Sequence, residues 1–433
     1  MKKLIIFFIV FNLSLACTVP SQDENFNSTS LEQQQNKRVA VNANTVVKNY
    51  SSNSLVIKYG NWVDSNQKRF LRSYFNVSSY QLCNKCSNAS IELWMFDDNI
   101  EIEPKKETIN NPTGGFGYPT NPNEREKAIA YVEFNYTINT STKSRLLKTS
   151  ITPSSNTNYT NHIKTINNGL TIAVFDTGIN PSFGNAAHFP EKFLYNAASD
   201  GIPGVYSGWD FVNNDDNTFD DDPNIHGSAV TSIITRNLNY YNIPYQILPL
   251  KVCNSNGKGN YFNLICSLNF ALERKASILQ MSLGWYNIFE NPSNNIFTNL
   301  VSQYPNVTLI CSAGNDEINN DLQTHFPSGY PINNIIAVAS CNQNATDISN
   351  WSNYGKTTVD FFAKGEGIDF LQTSIQGTSF ASPNVAAKVA FFKNNNPTIS
   401  NLSLLYNLNM IGVTKPPSFN NSKLVKYDKI INP

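Results

Sequence analysis

Leu170-Thr171-Ile172-Ala173-Val174-Phe175-Asp176-Thr177-Gly178 is the stretch on which the reading of this chain turns. Its first six residues form a near-continuous apolar run, as expected of a strand buried on both faces of a parallel sheet. Similar runs lie at residues 247–252, 278–283, 307–311 and 335–339. Between them, residues 227–236, 263–274 and 295–304 have the length and pattern of helices. Strands alternating with helices predict an α/β fold, a doubly wound, mostly parallel sheet with helices on both faces. In such folds function collects at the carboxyl ends of the strands. Asp176 closes its strand, so its carboxylate is expected at that edge.

Three further groups are expected there. His226 follows the acidic loop 215–222 and opens a predicted helix, in a chain with only four histidines. Asn315 closes Ser312-Ala313-Gly314-Asn315 after an apolar strand and presents a side-chain amide on a tight turn. Gly377-Thr378-Ser379-Phe380-Ala381-Ser382-Pro383 precedes the small-residue run 385–390. Its glycine lets the backbone turn sharply and present Ser379 at a helix start, where unpaired N–H groups and the positive dipole end converge. Pro383 is expected in the first turn, where a missing N–H costs little. Singly, these are a capping aspartate, a histidine at a helix start, a tight turn and a serine cap. Together they supply the carboxylate, imidazole, amide and hydroxyl of nucleophilic catalysis.

In these motifs the chain resembles the subtilisin-like serine proteases, the subtilase family, from about Gly169 to its C-terminus. Residues 173–179 are similar to the family's Asp motif, and His226-Gly227-Ser228-Ala229-Val230 to its His motif, with Ser for the usual Thr. The stretch 377–383 matches its Ser motif. The resemblance implies catalytic roles for Asp176, His226 and Ser379 and an oxyanion role for Asn315. Met281-Ser282-Leu283-Gly284 resembles the substrate-pairing strand, and Gly257-Lys258-Gly259-Asn260-Tyr261 the facing edge. Ser282, Leu283, Gly284, Gly257 and Gly259, with Ala313 and Gly314 beside Asn315, are thereby the implied substrate-binding residues. Protein or peptide substrates are implied, and no catalytic metal or other cofactor for the chemistry. The loop 210–222, rich in carboxylates and asparagines, resembles a calcium loop of some subtilases, so a structural calcium is expected. Cys311 and Cys341 would fall on neighbouring strands, and Cys253 and Cys266 flank the substrate edge, giving two candidate disulfides. Trp285 stands where a small residue is usual and is expected to narrow a subsite.

The chain's 433 residues, 40% of them hydrophobic, suffice for one large domain and a small one. Lys and Arg balance Asp and Glu at 32 each, so charge makes no case for nucleic acid or a membrane surface. Met1-Lys2-Lys3, the apolar run 4–11, Ser14 and Ala16 read as a signal peptide over residues 1–16, implying secretion or residence in the cell envelope. Cys17 is a candidate lipidation site and membrane tether, and the polar residues 17–44 a flexible spacer. No later stretch is long enough to span a bilayer.

Residues 45–145 read as a small α+β module, with strands at 55–57, 91–95 and 128–133. A helix at 67–75 would align Phe70, Leu71, Tyr74 and Phe75. Ala130-Tyr131-Val132-Glu133 resembles the closing strand of the family's inhibitory propeptide. This implies an intramolecular inhibitor ahead of a catalytic domain at 146–433, with a cut in the polar stretch 141–168. Six cysteines besides Cys17 favour disulfides in an exported chain, and Cys83-Asn84-Lys85-Cys86 lacks the βαβ context of a redox motif. An aspartic protease would need a second Asp-Thr-Gly. The other rival is a catalytically silent relative acting as a binding or envelope scaffold, and the complete set of Asp176, His226, Asn315 and Ser379 speaks against it.

Overall fold

The computed structural model describes residues 48–432 except 84, 87–89, 112–126, 141–158, 167–168, 182–188, 202–203, 287–290 and 421. The expected signal peptide, Cys17 and spacer, and most of the expected cut region, lie outside the described residues. The front module comprises β1 (Tyr50–Tyr59), α1 (Ser65–Tyr74), β2 (Ser79–Leu82), β3 (Ile91–Met95), α2 (Ile102–Asn110) and β4 (Ile129–Thr140). A capping box between Asp64 and Gln67 starts α1. The predicted four-residue stripe is narrower than expected: Leu71 and Phe75 are buried, while Phe70 and Tyr74 are 43% and 40% exposed.

The rest of the chain runs β5 (Leu170–Asp176), β6 (Trp209–Asp210), α3 (His226–Tyr240), β7 (Tyr245–Lys251), β8 (Lys258–Asn260), α4 (Tyr261–Glu273), β9 (Ile278–Met281) and β10 (Leu283–Tyr286). Then come α5 (Ile296–Ser302), β11 (Thr308–Ser312), β12 (His325–Phe326), β13 (Ile335–Cys341), β14 (Phe361–Lys364) and the ribbon β15–β16 (Ile368–Phe370, Thr373–Ile375). Last are α6 (Thr378–Asn395), α7 (Asn401–Ile411), β17 (Val413–Thr414) and β18 (Lys429–Ile431). The larger sheet has the order β17-β18-β14-β13-β11-β9-β5-β7-β6. All its pairings are parallel except β17 with β18.

Alternation along β5 explains the layers. Ile172 and Val174 join one buried cluster with residues of α3, α6 and α7. Ala173 and Phe175 join another with α4, α5 and the front module. Helices therefore cover both faces, as the sequence predicts, and each fully buried Ile, Val or Phe contributes about 1.5–3 kcal/mol.

A second, antiparallel sheet links the two parts of the chain, in the order β12-β10-β4-β1-β3-β2 with β8 also paired to β4. Two side chains of β4 satisfy donors at helix starts. Glu133 Oε1 accepts from Ile296 N at 2.5 Å, and Asn135 Oδ1 from Phe262 N at 3.0 Å.

The disulfide pattern corrects both sequence-based pairs. Cys83 bonds Cys266, while Cys86, Cys253, Cys311 and Cys341 are free thiols. Cys311 aligns with Ala337 across the β11–β13 ladder, so Cys341 lies four residues further along. Cys253 precedes β8, whereas Cys266 sits within α4, where the front module meets it.

Candidate active site

Because β5, β9 and β11 are parallel neighbours, the carboxyl ends of β5 and β11 share an edge. Asp176 is the last residue of β5, and Ala313-Gly314-Asn315 follows β11. Two helices start there, α3 at His226 and α6 at Thr378. His226 Nδ1 donates to Asp176 Oδ1 at 2.7 Å, with both side chains buried, and Thr177 N donates to the same oxygen at 2.8 Å. Gly227 permits this approach, since a Cβ there would lie 2.2 Å from the Gly178 carbonyl oxygen.

The turn into α3 holds groups that the sequence reading missed. Asp220 accepts from Thr177 Oγ1 at 2.8 Å, Ser228 N at 2.9 Å and Ser228 Oγ at 2.7 Å. Asp222 accepts from His226 N at 3.3 Å, and Ile225 between them has φ 45°, a strained conformation for a β-branched residue. Burial pushes the Asp220 carboxyl up to about 7 against its hydrogen bonds, and burial also raises Asp222. For His226, burial is the largest influence and pulls its pKa down. Asp176, then Asp222 and Asp220, outweigh it and hold the imidazole above its ordinary value.

Ser379 is the second residue of α6, at the helix start the sequence assigns it. Pro383, expected in the first turn, lies one turn deeper, and the difference has a use. Lacking an N–H, Pro383 leaves the Ser379 carbonyl without its helical donor. Ser282 Oγ supplies one at 2.8 Å, while Ser379 Oγ donates back to the Ser282 carbonyl at 3.3 Å. Buried Gln280, also missed, donates to Ser282 Oγ at 2.9 Å and to Ser382 Oγ at 2.7 Å. Among the described residues His226 Nε2 is buried without a hydrogen-bond partner, so no bond to Ser379 Oγ is made in this structure. Such bonds commonly tighten only around bound substrate. Asn315 Oδ1 accepts from Thr378 N at 2.9 Å and Thr378 Oγ1 at 2.8 Å, which turns the amide's donor end away from α6.

Both expected substrate edges flank one strand of the same chain. Leu283 and Gly284 of β10 pair with Thr140 and Asn139 of β4. Lys258, Gly259 and Asn260 of β8 pair with Asn139, Ile138 and Thr137 from the other side. Thr140 N donates to the Gly257 carbonyl at 2.8 Å. The Ala313 carbonyl accepts from Asn353 Nδ2 at 3.0 Å, and Gly314 N donates to Thr378 Oγ1 at 3.2 Å. Trp285 is buried against Tyr261, Phe326 and Tyr330.

A cavity of about 340 Å³ beside Thr140 reaches Asn315. His325 lines it and bridges the two walls. A Cβ on Gly284 would lie 2.1 Å from its Nε2, and one on Gly314 3.2 Å from its Cδ2. Ser328 Oγ donates to the His325 carbonyl and lies 2.9 Å from Nδ1, which makes Nδ1 the protonated nitrogen. Burial lowers the pKa of this imidazole to about 4.

The loop 210–222 is organised around an ammonium. Buried Lys251 Nζ donates to the Phe219 carbonyl at 2.8 Å and to Asp221. Asp210, Asp215, Asp220 and Asp222 direct carboxylate oxygens to donors of the chain itself. This donor set does not fit the calcium expected here.

The model of the subtilase family (Peptidase_S8) matches residues 167–410. The major intracellular serine protease of Bacillus subtilis is 32% identical over 44% of this chain and 62% of its own length. The minor extracellular protease Epr of the same organism is 27% identical over 54% of this chain and 34% of its own. A crystal structure of a cold adapted subtilisin-like serine proteinase aligns with 60% of this chain and 89% of its own at 22% identity and a TM-score of 0.46. The chain thus spans about a third to two thirds of these two relatives.

If Lys251 provides the cation of the loop, chelation by EDTA leaves the thermal midpoint of the Ser379→Ala protein unchanged. Lys251→Met lowers it by the equivalent of about 1–3 kcal/mol, because the Phe219 carbonyl loses its donor. Calorimetry on both proteins reads the two effects.

Proposed function

This chain belongs to the subtilase family, and from that premise we propose that it is an exported serine endopeptidase made as a self-processing zymogen. The buried hydrogen bond from His226 Nδ1 to Asp176, on the edge that holds Ser379, is the observation that carries the reading. A neutral serine hydroxyl needs a base to become nucleophilic. His226 Nε2, buried and without a partner, is the proposed base. Asp176 fixes the tautomer and stabilises the imidazolium as Ser379 attacks the peptide carbonyl. The Asn315 amide and the Ser379 backbone N–H are the proposed oxyanion donors, and loss of one such donor costs about 10²–10³ in rate. His226 then protonates the leaving amine, and water hydrolyses the acyl-enzyme. No cofactor enters this chemistry.

The position of β4 supports the zymogen. Residues 137–140 hold the cleft as a substrate strand would, by main-chain ladders on both sides. Thr140, the last residue of β4, pairs with Leu283, and the carbonyl of the adjacent Ser282 holds the Ser379 hydroxyl. The bond after Ser141 is the proposed cut, separating an inhibitory front module (45–145 in the sequence reading) from the catalytic domain. Export rests on residues 1–16, with Cys17 as the proposed envelope tether.

N-terminal sequencing tests the reading. Wild type is expected to yield a chain beginning at Thr142, and Ser379→Ala to remain intact. A wild type left intact, or a mutant cut identically without added protease, contradicts it. Because His325 stands against Gly284 and Gly314 and narrows the cavity between them, peptides with Ala or Ser before the scissile bond should be cut faster than those with Phe. His325→Gly should reverse the order, as kcat/KM on a peptide series would read. The general base must be neutral, so activity falls as pH drops through the raised pKa of His226, above the ordinary value of about 6.5. Asp222→Asn should move this acid limb of kcat/KM to lower pH.

A further inference from the structure

We infer that the Cys83–Cys266 disulfide holds the front module on the enzyme as a second, covalently linked chain after the backbone between them is cut. The inference rests on the processing proposed above. Cys83 follows β2 in the front module, and Cys266 lies within α4. Every bond between Thr140 and β5 lies between these cysteines in sequence, so no cut there separates the two parts.

The covalent link acts on an interface that is already extensive. The front module shares a buried cluster with α4 and α5, and Tyr136 packs edge-on against Tyr261 at 5.9 Å. β4 fills the cleft from both sides. A tethered partner acts at an effective concentration on the order of millimolar. A module that binds in trans with a Kd of about 1 µM would then occupy the cleft about 10³ times as often as it leaves. Hydrolysis alone leaves the site covered.

Release needs a thiol reductant. Cys86 lies beside the bond, its Sγ donating to the Cys266 carbonyl at 3.3 Å. Burial, with Glu273 next, pushes this thiol up to about 12, so it is a poor nucleophile for internal exchange. An external dithiol supplies the electrons. One of its thiolates attacks a sulfur of the bond to form a mixed disulfide, and its second thiol displaces the protein sulfur. Cys83 and Cys266 end as thiols, and the dithiol as a cyclic disulfide. Cys83 is 7% exposed and Cys266 2%, so reduction waits on local opening.

The test compares wild type and Ser379→Ala by non-reducing and reducing electrophoresis, with peptide hydrolysis before and after dithiothreitol. Processed wild type is expected as one species without reductant and two with it, and its hydrolysis should rise by about tenfold or more as the tether is lost. Ser379→Ala nicked by trypsin after Lys143, Arg145 or Lys148 provides a version that does not depend on self-cleavage. Its front module should stay attached through gel filtration in 2 M urea and leave when dithiothreitol is added, whereas in Cys83→Ser it should leave without reductant. Separation of the nicked chains without reductant, or alkylation of Cys83 in the unreduced protein, overturns the inference. If nicked Ser379→Ala stays linked while wild type neither cuts itself nor hydrolyses peptides, the disulfide inference stands and the proposed function fails.

Discussion

Parallel strands must deliver their carboxyl ends to one edge, and in this chain that constraint assembles the cleft. β5 brings Asp176, β11 brings the turn to Asn315, and the helices that cross back begin at the same level with His226 and Ser379. Residues separated by as much as 203 positions of sequence thus meet without any long side chain reaching across. What remains is orientation, and it is set by hydrogen bonds to backbone: Thr177 N on Asp176, Asp222 on His226 N, and Thr378 N on Asn315.

A proline placed one turn into α6 adds a constraint of its own. It frees the Ser379 carbonyl, and the hydroxyl of Ser282 takes that carbonyl, so the start of α6 is fastened to the residue that leads into β10, the strand that pairs with β4. Gln280 and Ser382 extend the contact into the interior. A buried carbonyl left unpaired would cost about 1–3 kcal/mol, so Ser282 is tied to this position by the proline as much as by the cleft. The start of α6 and the residues that lead into β10 form one hydrogen-bonded unit.

Much of this was legible in the sequence. The buried strands announce themselves as apolar runs, because a strand covered on both faces has no polar side to show. Asp176 and Asn315 follow the ends of such runs, while His226 and Ser379 stand at the starts of helices. Less legible were features fixed by tertiary context. β2 and α2 carry weak patterns and were missed. Lys251 reads as an ordinary strand-end lysine, yet its ammonium sits in the loop that the carboxylates assigned to calcium. The disulfide joins residues 183 positions apart across two modules, and no local spacing encodes that pairing. His325 had no motif, and only the closeness of Gly284 and Gly314 to its ring marks it.

The proposed chemistry requires a Ser379 hydroxyl made reactive by His226. Peptide mapping of the processed, reduced protein after treatment with a fluorophosphonate tests this directly, with His226→Ala carried alongside. A single adduct on Ser379 in wild type and none in His226→Ala is the predicted result. No adduct in wild type, or an adduct on another residue, would contradict the account.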